Sequence, residues 1–353
     1  MIPVLYSKDQ TIFVTNGLGV LSDAKSCLCT EVLNGSYELE LKMPYSGLHA
    51  KEIQNDCLLK VKPNYEDPAQ LFRIYSVEKN YDGNLEVKAA HISYDTAGIP
   101  VLPFTSSNLG EAVDYMNTNR KELTSSYFVL NSQLSVDGTL EVKSPMSFRS
   151  LLGGSDTSIQ KVYGGEYHYD NYTINLVEKR GSDKGICFRY GKNILDFEQE
   201  TNSEEFYTAV WGYWKKSGSN GEADTIIYGN IMQCNDSLPY DKIYILDTSS
   251  SIKNENDANA TVEQIDECVE KYISENGVGF AKSKMKIDYL DDRSIKICLG
   301  DRLGVIYPEY DIYAIARCNK IVFNCLEEKN ESIEIGVETK DISDTISGFL
   351  TKL

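Results

Sequence analysis

The chain has 353 residues, with 35 Lys and Arg against 53 Asp and Glu, a net charge of −18 at pH 7 with its three histidines neutral. Phosphate neutralisation takes clustered Lys and Arg, so this balance argues against gripping nucleic acid and against docking on an anionic membrane. Apolar residues make up 41% and aromatics 10%, a folded composition with room for roughly two to four domains.

The opening Met1-Ile2-Pro3-Val4-Leu5-Tyr6-Ser7-Lys8-Asp9 lacks the basic region and apolar core of a signal peptide. The longest uncharged stretches, Ala97 to Gly110 and Leu123 to Val136, are broken by Pro, Ser, Thr or Asn. They fall short of the ~18 apolar residues a membrane helix needs. Nine cysteines, an odd number scattered from Cys27 to Cys325, point to reduced thiols made in a cytosol. The 24 tyrosines suit half-buried strands and interfaces, where one end of the ring is wet.

The first hundred residues predict strands and tight turns. Tyr37, Leu39 and Leu41 alternate with Glu38, Glu40 and Lys42, the period of a half-buried strand. Asn34-Gly35 ahead of them is a hairpin signal, and Asp82-Gly83 a second one. Leu58 to Val61, Phe72 to Val77 and Leu85 to Ala89 extend the series, which suggests a small barrel or sandwich. After Pro100 and Pro103, Asn108-Leu109-Gly110-Glu111 reads as a capping box leading into a helix with Ala112, Val113 and Met116 on one face. Ser144-Pro145 predicts a second short helix, with Ser as N-cap and Pro first, stopped by Gly153-Gly154. Asp137-Gly138-Thr139-Leu140 echoes Asp82-Gly83-Asn84-Leu85 and suggests the same hairpin chemistry used twice. Strands follow at Tyr172 to Val177, Ile186 to Tyr190 and Phe206 to Tyr213, then a flexible tip at Ser217 to Gly221. The clearest helix starts at Thr261, with Gln264 three residues on, a stripe of Val262, Ile265, Cys268, Val269, Tyr272 and Ile273, and Gly277 as its stop. Met285 to Tyr289, Ile295 to Leu299, Tyr313 to Phe323 and Ile333 to Val337 return to strand patterns.

Catalytic and metal signatures are weak. Cys27-Leu28-Cys29 places two thiols on one strand face, where small core residues are expected. His49, His91 and His168 have no spacing that selects one as a base for any cysteine. Gly153-Gly154 and Gly164-Gly165 lack the context of a phosphate loop. Glu204-Glu205, Asp291-Asp292 and Glu327-Glu328 read as solvated turn or edge carboxylates. The expectation is no cofactor, no metal and no catalytic residue. Trp211-Gly212-Tyr213-Trp214 beside the Gly/Ser tip offers either a platform for stacking on sugar rings or aromatic packing in a core or interface.

The segments Glu31 to Leu39 with Pro44, Phe72-Arg73-Ile74 and His91-Ile92-Ser93-Tyr94-Asp95 together resemble the opening of phage tail hub proteins. This is the minor structural protein or prophage tail-endopeptidase family, also called tail-associated lysins. The resemblance continues colinearly through Tyr163-Gly164-Gly165-Glu166, Asp170-Asn171-Tyr172, Arg180-Gly181, Tyr190-Gly191-Lys192-Asn193, Leu299-Gly300-Asp301 and Ile333-Glu334-Ile335-Gly336. It marks Asn34, Gly35, Tyr37, His91, Tyr94, Asp95, Gly164, Gly165, Glu166, Asp170, Tyr190, Gly191, Asn193, Gly300, Asp301 and Gly336 as structural signature residues.

What the resemblance implies is a homotrimeric hub at the distal tip of a virion tail, made in the host cytoplasm and similar to contractile-tail baseplate hubs. The implied fold is α+β, mainly β, with two β-barrel-like tube domains. The first barrel is expected over 1–97 and an α+β middle domain over 98–195. The second barrel is expected over 196–250 and 291–341, a helical insertion over 251–290, and a tail over 342–353. Implied partners are other copies of the chain, a tail tube or distal tail ring, a tape measure protein, and a tip, spike or lysin protein. DNA passes without specific binding, past a lumen expected to be acidic, and no membrane insertion is expected. Many members carry a C-terminal lytic or carbohydrate-binding extension that this sequence does not show, so a non-enzymatic role is expected. A peptidoglycan-degrading endopeptidase and a carbohydrate- or receptor-binding module are the alternatives.

Overall fold

The computed structural model describes residues 1–122, 127–155, 157–202, 207–216, 218, 223–234, 240–249, 251–252, 258–276, 278, 282–289, 295–310 and 312–337. The chain divides into two compact units. The first is Met1–Phe197 with Lys286–Ile335, and the second is built on Glu198–Met285.

The first unit is organised on one large, mainly antiparallel sheet. Ser26–Val32 and Tyr37–Pro44 pair across the Asn34-Gly35 turn, where Asn34 takes a φ of 54°. Tyr37–Pro44 pairs with Asn84–His91, which pairs with Gln70–Lys79 across Asp82-Gly83. The order continues through Leu58–Val61 and Val4–Tyr6 to Gly19–Val20. Alternation does what the sequence pattern requires: Tyr37, Leu39, Leu41 and Met43 are buried, while Glu38, Glu40 and Lys42 point outward.

At its other side the sheet takes in strands from far along the chain. Ile312–Asn324 pairs through its second half with Ser26–Val32 and through its first half with Arg302–Tyr307. Arg302–Tyr307 in turn pairs in parallel with Asp183–Arg189. Lys329–Val337 lies beside Ile312–Asn324, followed by Lys282–Tyr289 and Ile194–Asn202.

The class is α+β and mainly β, but the sheets are open and no barrel closes among the described residues. Closure needs the last strand to pair back onto the first. Here one edge of the sheet ends on the two-residue strand Gly19–Val20, which has a strand partner on one side only.

The middle segment carries short paired strands and three helices. In Leu109–Thr118, the Glu111 N–H donates to the Asn108 side chain, as a capping box requires. The Glu111 carboxylate accepts from Ser107 instead of Asn108. Ala112, Val113 and Met116 are buried, as their spacing predicts. The next helix, Phe148–Leu152, is capped by Ser147, three residues later than Ser144-Pro145 suggested. Met146-Ser147 is taken up by pairing with Pro100-Val101, which delays the start. Asp137–Val142 is not a second hairpin turn. It pairs with Phe104–Asn108 through a register shift between Asp137 and Leu140. Ile295 to Leu299 is not a strand either: the Cys298 N–H donates to the Asp301 carboxylate, which folds the segment into a turn.

The second unit is a three-stranded sheet with one helix on one face. Ala209–Lys216 is central, antiparallel to Thr225–Gln233 and parallel to Ile243–Asp247. The helix Val262–Asn276 begins as its capping box dictates, with Thr261 and Gln264 exchanging side-chain-to-backbone hydrogen bonds at 3.0 and 3.3 Å. Ile265 and Val269 are buried on this face, against Gly212 and Gly229. A Cβ at Gly212 would lie 2.5 Å from Val269 Cγ2, so glycine there sets how closely the helix approaches. The tip at Ser217 to Gly221, the Gly277 stop, the pairs Glu204-Glu205 and Asp291-Asp292, and the tail over 342–353 fall wholly or mainly outside the described residues.

Candidate functional site

Five of the signature residues, Asn34, Gly165, Glu166, Gly300 and Asp301, meet in one polar junction inside the first unit. The Asn34 side chain at the hairpin tip donates to Gly165 O at 3.0 Å and accepts from the Tyr167 N–H at 2.9 Å. Glu166, from the same segment, accepts from Arg317 Nη2 at 2.7 Å and from the Arg180 N–H at 2.6 Å. Arg180 reaches back to Glu31 at 2.5 Å. Arg317 also donates to Gly300 O at 3.0 Å and Arg180 O at 2.7 Å. Asp301 accepts from Ser182 N–H and from Lys184. Gly181 and Gly300 take φ of 74° and 88°, and a Cβ on Gly181 would lie 2.1 Å from the Gly300 carbonyl carbon. Both conditions exclude a side chain.

A second cluster surrounds His91. Its ring stacks on Tyr37 at 4.5 Å and hydrogen-bonds Ser93 and Gln70. Gln70 also donates to Asp170 and accepts from the Asn171 N–H. Burial, with Arg149 nearby, pushes His91 down to about 3. Tyr94 accepts from the Tyr37 N–H, and its ring carries the Arg149 guanidinium at 3.5 Å. Asp95 forms a two-pronged pair with Arg73 at 2.7–2.9 Å. Gly164, with φ of 72°, ends the helix Ile159–Tyr163. Tyr190, Gly191 and Asn193 form a separate turn, with Asn193 accepting from the Arg189 N–H. Gly336 stands apart in Lys329–Val337. Gln70 and Arg317, central to these networks, have no local mark in the sequence.

Each of the three histidines spends a ring nitrogen on a neighbouring side chain. His49 meets Glu52, and His91 meets Ser93 and Gln70. His168 donates to Asp67 at 2.8 Å in a cleft of about 210 Å³ whose wall includes Cys298. Burial pushes the Cys298 thiol up to about 12, with Glu66 accepting from it, so the sulfur holds its proton. A thiol in that state is a poor nucleophile. The His168 pair with Asp67 raises the histidine, and that hydrogen bond with Asn64's outweighs burial in lowering the carboxyl. Cys27 and Cys29 are buried core residues, and burial pushes Cys29 well up. All nine cysteines are free thiols. Among the described residues no cluster of His, Cys, Asp and Glu suits a metal, and no helix is long and apolar enough to cross a membrane.

The aromatic cluster divides between the two faces of the small sheet. Trp214 is 7% exposed, packed with Ile252, Ala260 and Ile265 on the helix side. That burial removes it as a stacking platform. Trp211 and Tyr213 lie on the other face, where Trp211 stacks on Tyr228 at 5.2 Å and Tyr213 donates to Asp247.

Residues 182–346 match the model of the family described as prophage endopeptidase tail. The chain has the fold of a prophage tail protein of Listeria monocytogenes EGD-e, with a TM-score of 0.60 and 13% identity over 99% of both chains. It is similar to a tail protein of Neisseria meningitidis MC58, at 0.60 and 9% identity over 97% of both. It is also similar to the 43 kDa tail protein of prophage MuSo2 from Shewanella oneidensis, at 0.60 and 11% over 96% of this chain and 98% of that one. No curated protein sequence matches. The resemblance to the phage tail hub family read from the sequence therefore stands on both a family match and a fold.

Proposed function

We propose that the chain is a structural hub of a phage or phage-like tail. Three copies form a ring at the distal end of the tail tube, which docks tip proteins and lines or closes the DNA channel. The observation that carries this reading is the fold match to three tail proteins over nearly the full length of each chain. The signature residues fit such a role: Asn34, Glu166, His91, Asp95 and Asp301 spend their hydrogen bonds inside the subunit and so help hold its shape. The acidic balance fits as well, since an acidic channel wall repels phosphates and keeps DNA from sticking. Tail tube or distal ring proteins, a tape measure protein, and a tip, spike or lysin protein are the partners in this reading.

Light scattering on the purified chain, alone and with a tail tube protein, tests it. The reading expects three times 39.7 kDa. A monomer in both solutions overturns it. The family description names an endopeptidase, and His168–Asp67 beside Cys298 is the one described cleft that would carry a second, hydrolytic reading. Clearing of a cell-wall gel by the purified chain, lost in His168→Gln, would favour that reading; the hub reading expects no clearing.

A further inference from the structure

The small sheet of the second unit has more apolar surface than its own helix covers. Thr225-Ile226-Ile227-Tyr228 and Ile243-Tyr244-Ile245-Leu246 are nearly continuous apolar runs, the pattern of strands buried on both faces. The helix Val262–Asn276 packs on the face of Gly212, Trp214, Ile227 and Gly229. Strand register places the remaining side chains together on the opposite face. Trp211 sits opposite Ile231 on one neighbour and Ile245 on the other, and Tyr213 sits opposite Tyr228. On that face Ile245 is 60% exposed, Ile231 59%, Tyr228 53% and Ile226 43%. Large exposed apolar side chains grouped on one face are what mark an interaction surface on a soluble protein.

We propose that this face is a contact surface between copies of the chain. The inference rests on the ring reading above and names the surface that reading leaves unassigned. Charge selects the occupant. Copies that each carry −18 repel one another over most of their surface. This face carries few charges: Lys215 is paired with Asp224, and Asp247, which accepts from Tyr213, adds one carboxylate at its edge. A basic partner would be drawn to the acidic surface instead, whereas two acidic copies meet at least cost where carboxylates are sparsest. Trp211 and Tyr228 supply the large amphipathic rings that such contacts favour.

The test is sedimentation equilibrium on the full chain across about 1–100 μM, a range that spans moderate to weak interfaces. The parent is compared with Ile245→Asp and Tyr228→Ser, with circular dichroism and thermal melting confirming the fold. Both side chains are more than half exposed in one copy, so each variant is expected to fold. The expected result is an associated parent and variants at 39.7 kDa, with association weakened at least tenfold. A trimeric parent with equally trimeric variants overturns this inference and leaves the ring reading standing. A dimeric parent with monomeric variants supports the inference and overturns the ring. A parent that stays monomeric overturns this inference, and the ring reading falls as well only if the chain also stays monomeric with a tail tube protein. Variants that lose melting temperature without any change in mass also overturn the inference, because the chain's own residues then cover the face.

Discussion

His91 lies with its ring buried between Tyr37 and Phe72 and enters the folded state neutral. The unfolded chain's histidine takes a proton near pH 6.5. Its folded value is depressed to about 3, so its contribution is intact above pH 6.5 and is lost as the pH falls toward 3. At pH 5 the loss is about 2 kcal/mol. His168 works the other way. Its folded value is raised by Asp67, so that contribution is complete below the unfolded value and fades as the pH rises through the folded one. Urea midpoints measured between pH 5 and 8 should therefore change slope in opposite senses. His91→Gln flattens the loss of stability on acidification, and His168→Gln steepens it. Unchanged slopes would remove both assignments. Glu166 gives a second prediction at this scale. It is 8% exposed and holds Arg317 by side chain and Arg180 by backbone. Glu166→Ala strips a part-buried guanidinium of this carboxylate and should cost on the order of 3 kcal/mol, the low end of the range for breaking a buried pair. Glu166→Gln keeps hydrogen-bonding capacity and should cost less. Equal midpoints for the two variants would show that the charge, and not the retained hydrogen-bonding capacity, carries the effect.

At the scale of elements, the helix Val262–Asn276 stands on two glycines. Gly212→Ala puts a methyl 2.5 Å from Val269 Cγ2 and 2.9 Å from Ile265 Cγ2. The helix must move, at a cost of about 1–3 kcal/mol for overpacking. Hydrogen exchange should show faster opening of the 262–276 amides, with protection of Tyr37–Pro44 unchanged, because opening is local. Undisturbed helix amides would mean that the sheet yields instead. Thr261 and Gln264 announced this helix in the sequence because a capping box is local chemistry. Asn34-Gly35 and the alternation from Tyr37 to Lys42 were legible for the same reason. The pairing of Ser26–Val32 with Ile312–Asn324 was not, since partners almost 300 positions apart leave no mark in a local period. Ser144-Pro145 misled because a strand pair with Pro100-Val101 overrode a good local cap. The junction was half legible. Colinear resemblance flagged Glu166, Gly300 and Asp301, whereas Arg317 sits in an ordinary strand pattern and becomes visible only when the chain folds back on it.

For the whole molecule, charge and assembly pull against each other. Each copy carries −18, and a ring of three brings three such charges into one particle. Exposed like charges repel over the Debye length, about 30 Å at 10 mM salt and about 8 Å at 150 mM. If copies meet through an apolar face, salt screens the repulsion and leaves the attraction intact. Association should then strengthen as salt rises from low to physiological ionic strength. An interface held by ion pairs between copies would respond in the opposite direction, weakening as the same salt screens its attraction. The sedimentation series at three salt concentrations decides between them. A dissociation constant that falls with added salt fits the apolar face centred on Trp211 and Tyr228. One that climbs would move the copy contact to a charged surface and separate it from the small sheet. If the proposed ring forms, the same −18 sets a condition on its assembly: it has to close where the carboxylates are not.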